Sequence, residues 1–286
     1  RLRIIDVKTR KVHSLTDNKL RISGYTWSGG GKSLIVSATD NPQPELFTDR
    51  VYSVTVSDGK MREISRPKGP FSGLKISQDG KTMAYIGCRT DGPQPIDLII
   101  QPISGGKPIN LTGSSLDRSI SNYTWLKDGS LMVLAETGFT NTFYKVFKDG
   151  KVKKLSQYKV SPSRYFVKDE KVLAFIGQTA TLAPELWVSM QPGKAEKVTH
   201  FNAEWENIPL IQPEIIHYSS FDGKKIEAAL LKLLHFKKGI RVPFVVVVHG
   251  GPTGRFSDGF QAWSQLLAAR GYGVLLPNVR GSSGYG

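Results

Sequence analysis

Hydrophobic residues between positions 1 and 202 fall into short runs whose character changes in a fixed order. A turn is followed by an apolar run (34–37, 83–86, 131–135, 172–176) and then by an alternating one (51–56, 98–102, 143–147, 186–189). A short polar-flanked run closes each set (62–65, 108–112, 153–156, 197–199). None has a helical period, and runs this short bounded by Gly and Asp read as strands. The turns repeat as well. Tyr25-Thr26-Trp27-Ser28 precedes Gly-Gly-Gly-Lys, Gly73-Leu74-Lys75-Ile76-Ser77 precedes Gln-Asp-Gly-Lys, and Asn122-Tyr123-Thr124-Trp125-Leu126 precedes Lys-Asp-Gly-Ser. Arg164-Tyr165-Phe166-Val167 before Lys-Asp-Glu-Lys is a weaker copy. Ser28, Ser77 and Leu126 are evenly placed, 49 residues apart.

Four strands per unit of about 40–50 residues predict the blades of a β-propeller. The blades are expected at about 20–65, 71–112, 120–156 and 162–202, with 1–16 supplying two strands of another. The Trp or Phe of each repeat is expected to pack between neighbouring sheets. Because the chain opens in mid-blade, it reads as a fragment carrying an incomplete propeller, and any leader before it is invisible. Gly29-Gly30-Gly31-Lys32-Ser33 imitates the end of a phosphate-binding loop. Thr26 stands where that motif requires Gly, and a strand follows instead of a helix, so a hairpin turn is expected.

After Phe201 the rhythm stops. Residues 203–213, with Trp205, Pro209 and Pro213, read as a linker. Residues 214–219 and 224–233 alternate around Phe221-Asp222-Gly223, a predicted hairpin. The Val-rich run 244–248 is expected to be a parallel strand buried on both faces, and it enters His249-Gly250-Gly251-Pro252. Asp258 is expected to cap a helix whose Phe260, Trp263, Leu266 and Leu267 share a face and which Gly271 ends. A second buried strand at 273–276 then leads into Asn278-Val279-Arg280-Gly281-Ser282-Ser283-Gly284-Tyr285-Gly286. Strand, helix, strand predicts the N-terminal part of an α/β domain over 214–286.

Composition narrows the function classes. The 286 residues suit about two domains, and 39% hydrophobic with 10% aromatic residues is enough for packed cores. The formal charge of +15 raises the question of nucleic acid, but the basic residues are scattered and form no basic helix, so no nucleic-acid partner is expected. No apolar run approaches the roughly 20 residues of a membrane helix. Cys88 is the single cysteine, which excludes a disulfide framework and fits cytoplasm and periplasm alike. The five histidines, His13, His200, His217, His235 and His249, lack metal-ligand spacing, so neither metal nor cofactor is expected.

The Val-rich strand into His249-Gly250-Gly251-Pro252, the helix, and the Asn278–Gly286 segment together resemble the prolyl oligopeptidase family of serine peptidases, nearest its acylaminoacyl-peptidase-like and dipeptidyl-peptidase-like branches. The resemblance implies a propeller capping an α/β-hydrolase domain that hydrolyses short peptides through a Ser-Asp-His triad. No Gly-x-Ser-x-Gly occurs in the 286 residues, so nucleophile, acid and base are expected beyond them and this chain alone is expected to be inactive. What it does contain is a candidate oxyanion loop. A Gly-rich turn leaving a strand can aim an N–H at the developing negative charge, and Pro252 has no N–H to offer. The resemblance assigns the donor to Gly251, with Gly250 shaping the loop. His249 precedes the nucleophile, whereas the base of this fold follows it, so His249 is expected to brace the loop. For Arg280, holding the loop and meeting substrate both stay open. Two other functions compete. One is an esterase on the same hydrolase fold. The other is a non-enzymatic propeller interaction module, against which the buried strand and the Gly-rich loop argue.

Overall fold

The computed structural model describes residues 1–43, 47–90, 94–233, 239, 241–251 and 253–286. His235 and Pro252 lie outside the described residues. The chain is mostly β. A two-stranded ribbon, β1 (Arg3–Ile5) and β2 (Val12–Ser14), is followed by four four-stranded meanders. The first meander comprises β3 (Arg21–Trp27), β4 (Ser33–Thr39), β5 (Arg50–Thr55) and β6 (Met61–Ser65). The second comprises β7 (Phe71–Ile76), β8 (Thr82–Gly87), β9 (Asp97–Pro102) and β10 (Ile109–Asn110). The third holds β11 (Ile120–Trp125), β12 (Leu131–Thr137), β13 (Thr140–Val146) and β14 (Val152–Lys154). The fourth holds β15 (Ser161–Lys168), β16 (Val172–Thr179), β17 (Leu182–Gln191) and β18 (Lys194–Lys197). Two compact units emerge. The first is Arg1–Val133 with Lys145–Lys153, and the second is Leu134–Tyr144 with Lys154–Gly286.

In the first unit the second strand of each meander explains why its residues are apolar throughout. Leu34, Val36 and Ala38 of β4 pack with Leu2 and Leu15 of the N-terminal ribbon. Ile35, one residue out of phase, points the other way and packs with Met83, Tyr85 and Ile99 of the second meander. A strand with a sheet on either side needs apolar residues at both phases of its period of two. Each such buried side chain contributes roughly 1.5–3 kcal/mol. Two aromatic residues of the repeat behave differently from expectation. Trp27 is 51% exposed and Phe166 67% exposed, on β3 and β15. Trp125 meets the expectation, its half-buried indole donating to Lys75 O of the second meander at 3.4 Å, and Tyr123 reaches the same meander with its hydroxyl 2.5 and 2.6 Å from the Gly73 and Ala84 carbonyls, which share its proton. The Gly29–Ser33 segment is a turn between β3 and β4, closed by the Ser28 N–H on Ser33 O, with Gly30 and Gly31 at φ +82 and +68°.

The second unit has an aromatic core, with Phe143 edge-on to Tyr165 and Phe175 at 5.1 and 6.1 Å. Strand β18 lies at 194–197 instead of 197–199. The tight turn at Pro192-Gly193 pairs Gln191 with Lys194, so the return strand starts at once. The expected linker contains a 3-10 turn, Ala203–Asn207. A mixed sheet follows in the order β19 (Glu214–Ser219), β20 (Lys225–Leu231), β22 (Gly273–Asn278), β21 (Phe244–Val246), with β21 and β22 parallel and the other pairs antiparallel. Helix α1 (Ala262–Ala269) connects β21 to β22.

The Val-rich strand is incompletely covered, and two expectations about the helix are not met in full. Within these 286 residues Phe244, Val246 and Val248 are 52, 56 and 65% exposed, so the Val-rich run is covered on one face by the strands and helix described. The helix is not capped by Asp258. Its N-cap is Gln261, without a side-chain bond, while the Asp258 carboxylate accepts the Ala180 N–H at 2.9 Å, and its burial there pushes its pKa up. The apolar face of α1 turns inward only in part, with Leu267 packing against the core. Trp263 and Leu266 are exposed, and the buried residues are Ser264, Gln265 and Ala268. The reason is Gln265. Its amide takes the Ile211 N–H and donates to the carbonyls of Ile211 and Ala180, which turns that side of the helix to the protein.

Candidate active site

The loops that leave β21 and β22 emerge from the same end of the sheet because these strands are parallel. That end is where ligands bind in sheets of this kind. The first loop carries His249, Gly250 and Gly251; the second carries Arg280 to Gly286. Gly251 sits at φ +138°, which only glycine adopts without strain, and a Cβ there would lie 2.7 Å from Thr253 N and also strike Gly254 N. Gly254 is equally constrained, since its Cβ would run into the Gly250 carbonyl. Gly250 is different. Its φ is not positive and a Cβ would meet nothing within 4 Å, so the shape of the turn rests on Gly251 and Gly254. Among the described residues, the Gly251 N–H meets no acceptor.

The two loops are tied together. His249 Nε2 lies 2.7 Å from Ser282 Oγ, and its Nδ1 lies 3.1 Å from Gly250 O. Ser282 is buried, with its hydroxyl also 2.5 Å from Val279 O. The Ser283 N–H adds a second link by donating to Thr253 O. Phe256 packs edge-on against the His249 ring at 5.5 Å, and its backbone is clasped by Asn278, which accepts the Phe256 N–H at 2.7 Å and donates to Phe256 O at 3.0 Å.

Around this clasp lies a polar network. Asn278 Nδ2 donates to Tyr285 Oη at 2.8 Å, and Tyr285 donates to Glu227 at 2.5 Å. Burial, reinforced by the neighbouring Glu227 carboxylate, raises the Tyr285 pKa, so the phenol stays a donor. His217 stands 3.5 Å from the other Glu227 oxygen. Arg255, its side chain only 7% exposed, faces Glu136 at 3.4 Å and bonds Gly138 O and Asn141 Oδ1. Arg280 is paired with Asp222 and lies over the Phe221 ring, at the β19–β20 turn. Burial pushes the Asp222 pKa up, but the Lys224 N–H and Arg280 outweigh it and hold the carboxyl below its usual range.

Sequence reading singled out His249, Gly250, Gly251 and Arg280 but missed Ser282, Asn278 and Arg255. An Asn at the end of a strand and a Ser in a Gly-rich loop carry no pattern of their own. Their partners, at 249, 256 and 136, lie 33, 22 and more than 100 residues away.

No protein-family model matches the chain. Dipeptidyl-peptidase 5 of Trichophyton schoenleinii is 26% identical over 285 residues, covering 92% of this chain and 39% of its own length. The chain therefore spans about 39% of the length of the curated relatives it matches. Among solved structures, the acylaminoacyl peptidase of Pyrococcus horikoshii superposes with a TM-score of 0.77 at 22% identity, over 98% of this chain and 43% of that one. A puromycin-hydrolyzing peptidase of Mycobacterium tuberculosis gives 0.73 at 21% identity, over 96% and 45%. Among the described residues, no helix is long and apolar enough to cross a membrane. The curated relatives are named dipeptidyl-peptidases, and the chain, with its successive four-stranded sheets, has the fold seen in these solved peptidases.

Proposed function

We propose that the chain belongs to a serine-type peptidase that hydrolyses short peptides, and that it contributes half of the oxyanion hole while the nucleophile, acid and base lie beyond residue 286. Residues 1–202 would be the propeller blades, 203–213 the linker, and 214–286 the start of the α/β-hydrolase domain. The Gly251 N–H would stabilise the negative oxygen of the tetrahedral intermediate, and the second donor would follow the nucleophile. Arg280, held by Asp222, would brace the loop.

One observation carries the reading. The His249–Ser282 contact joins the two motif loops at the C-terminal end of parallel strands while, among the described residues, the Gly251 N–H has no acceptor. An N–H left open at this end of the sheet is available to a substrate oxygen.

Replacing Gly251 by Pro is a poor test, because φ +138° is far from the proline value and the ring would collide with Gly254. An amide-to-ester exchange between Gly250 and Gly251, made by semisynthesis, removes the N–H and leaves the shape. In the full-length enzyme it is expected to lower kcat by about 10²–10³ on dipeptidyl and acyl-aminoacyl anilides. Near-normal kcat would exclude Gly251 as donor. Residues 1–286 alone are expected to show no labelling by a fluorophosphonate, which the full-length enzyme should show. Turnover of simple esters with no turnover of any peptide anilide would mark an esterase instead.

A further inference from the structure

The oxyanion assignment leaves unexplained what aims the Gly251 amide. A loop of exposed glycines has little stiffness of its own. The Gly250–Gly251 peptide is planar and trans, so its carbonyl and its N–H point in opposite directions. Whatever holds the Gly250 oxygen therefore also aims the Gly251 N–H. His249 Nδ1 stands 3.1 Å from that oxygen, and the other ring nitrogen stands 2.7 Å from the buried Ser282 hydroxyl.

Proton counting sharpens this. A carbonyl oxygen only accepts, so the bond to Gly250 requires the proton on Nδ1. In the neutral ring Nε2 is then an acceptor, and Ser282 must donate to it. Val279 O, 2.5 Å away, competes for the same hydroxyl proton. We propose that the Ser282 hydroxyl goes to Nε2, locks His249 in its Nδ1–H form, and thereby makes Ser282 and His249 a latch that orients the oxyanion donor. Both are positioning residues. The latch rests on the peptidase reading for its catalytic consequence but not for its existence.

Two measurements separate these. In the 286-residue chain labelled with ¹⁵N-histidine, long-range ¹H–¹⁵N spectra report which ring nitrogen carries the proton. The wild type is expected to show His249 in the Nδ1–H form, Ser282→Thr to keep it, and Ser282→Ala to lose it while amide dispersion elsewhere is retained. In the full-length enzyme, Ser282→Ala should lower kcat about tenfold with KM little changed. That is less than the 10²–10³ for losing the donor outright, because a misaimed N–H still contributes. Ser282→Thr should restore kcat. A wild-type His249 in the Nε2–H form overturns the latch. So does a Ser282→Ala enzyme with unchanged kcat when the Gly250–Gly251 ester is crippled. If the full-length enzyme hydrolyses no peptide, the peptidase reading fails by itself and the tautomer alone decides the latch.

Discussion

Gly250 and Gly251 are adjacent and chemically identical, yet their backbones make opposite demands. An added methyl at Gly251 has to enter a positive-φ conformation and displace the backbone at Thr253 and Gly254, whereas at Gly250 it projects into open space. Gly251→Ala is therefore expected to cost on the order of 1–3 kcal/mol locally and to misplace the loop. Gly250→Ala should change stability by less than about 0.5 kcal/mol. Comparing urea midpoints and, in the full-length enzyme, kcat for the two variants checks this; equal effects would refute it. The His-Gly-Gly-Pro motif was legible in the sequence, but which glycine is irreplaceable was not, since φ is set by the whole turn.

Helix α1 shows at the scale of one element how polar satisfaction overrides an apolar stripe. Gln265 is 7% exposed and serves three backbone groups, so Gln265→Leu would bury the Ile211 N–H and C=O unpaired. A loss of about 2 kcal/mol is expected by urea denaturation, larger than a surface helix substitution would give. The turns of the repeat make a second prediction. Asp128 accepts from Lys145 at 2.7 Å and from the hydroxyl and N–H of Ser130, and these bonds, that of Lys145 foremost, hold its pKa down to about 2. A folded-state pKa below the unfolded one stabilises above the ordinary carboxylate range, and the gain disappears as pH falls from about 4 towards 2. Asp128 is half-exposed, so the effect stays under about 1 kcal/mol. Asp128→Asn should thus lower the urea midpoint at pH near 7 and approach the wild type as the pH falls below about 3. A gap independent of pH would show that the carboxylate charge is irrelevant to the turn.

At the scale of the 286 residues, the feature with the largest consequence is the apolar surface left exposed at and after β21. Phe244 and Val246 of β21 and Val248 just after it are exposed, as are Trp263 and Leu266 of α1 in the same unit. Exposed apolar side chains clustered in this way favour association. In sedimentation experiments residues 1–286 are expected to associate as concentration rises despite a net charge of +15, and Val246→Lys should suppress this. A strictly monomeric wild-type chain would count against this surface as an adhesive one.

The sequence by itself determined the local order of elements: the meander strands, their Asp-Gly and Gly-Gly turns, the hairpin at 221–223, and the strand–helix–strand that follows. Those features depend on side-chain period and on the φ preferences of Gly, which act within a few residues. The same locality explains why 244–248 was legible as a strand while its exposure was not. Burial depends on which strands flank it, and Gly273, which pairs with Phe244, is 29 residues away. Only the tertiary structure decided that Asp258 binds Ala180 instead of capping α1, that α1 turns Gln265 inward, and that His249 meets Ser282. Each of these is a hydrogen bond between residues distant in the chain, chosen because a buried polar group must find a partner wherever the fold brings one within reach.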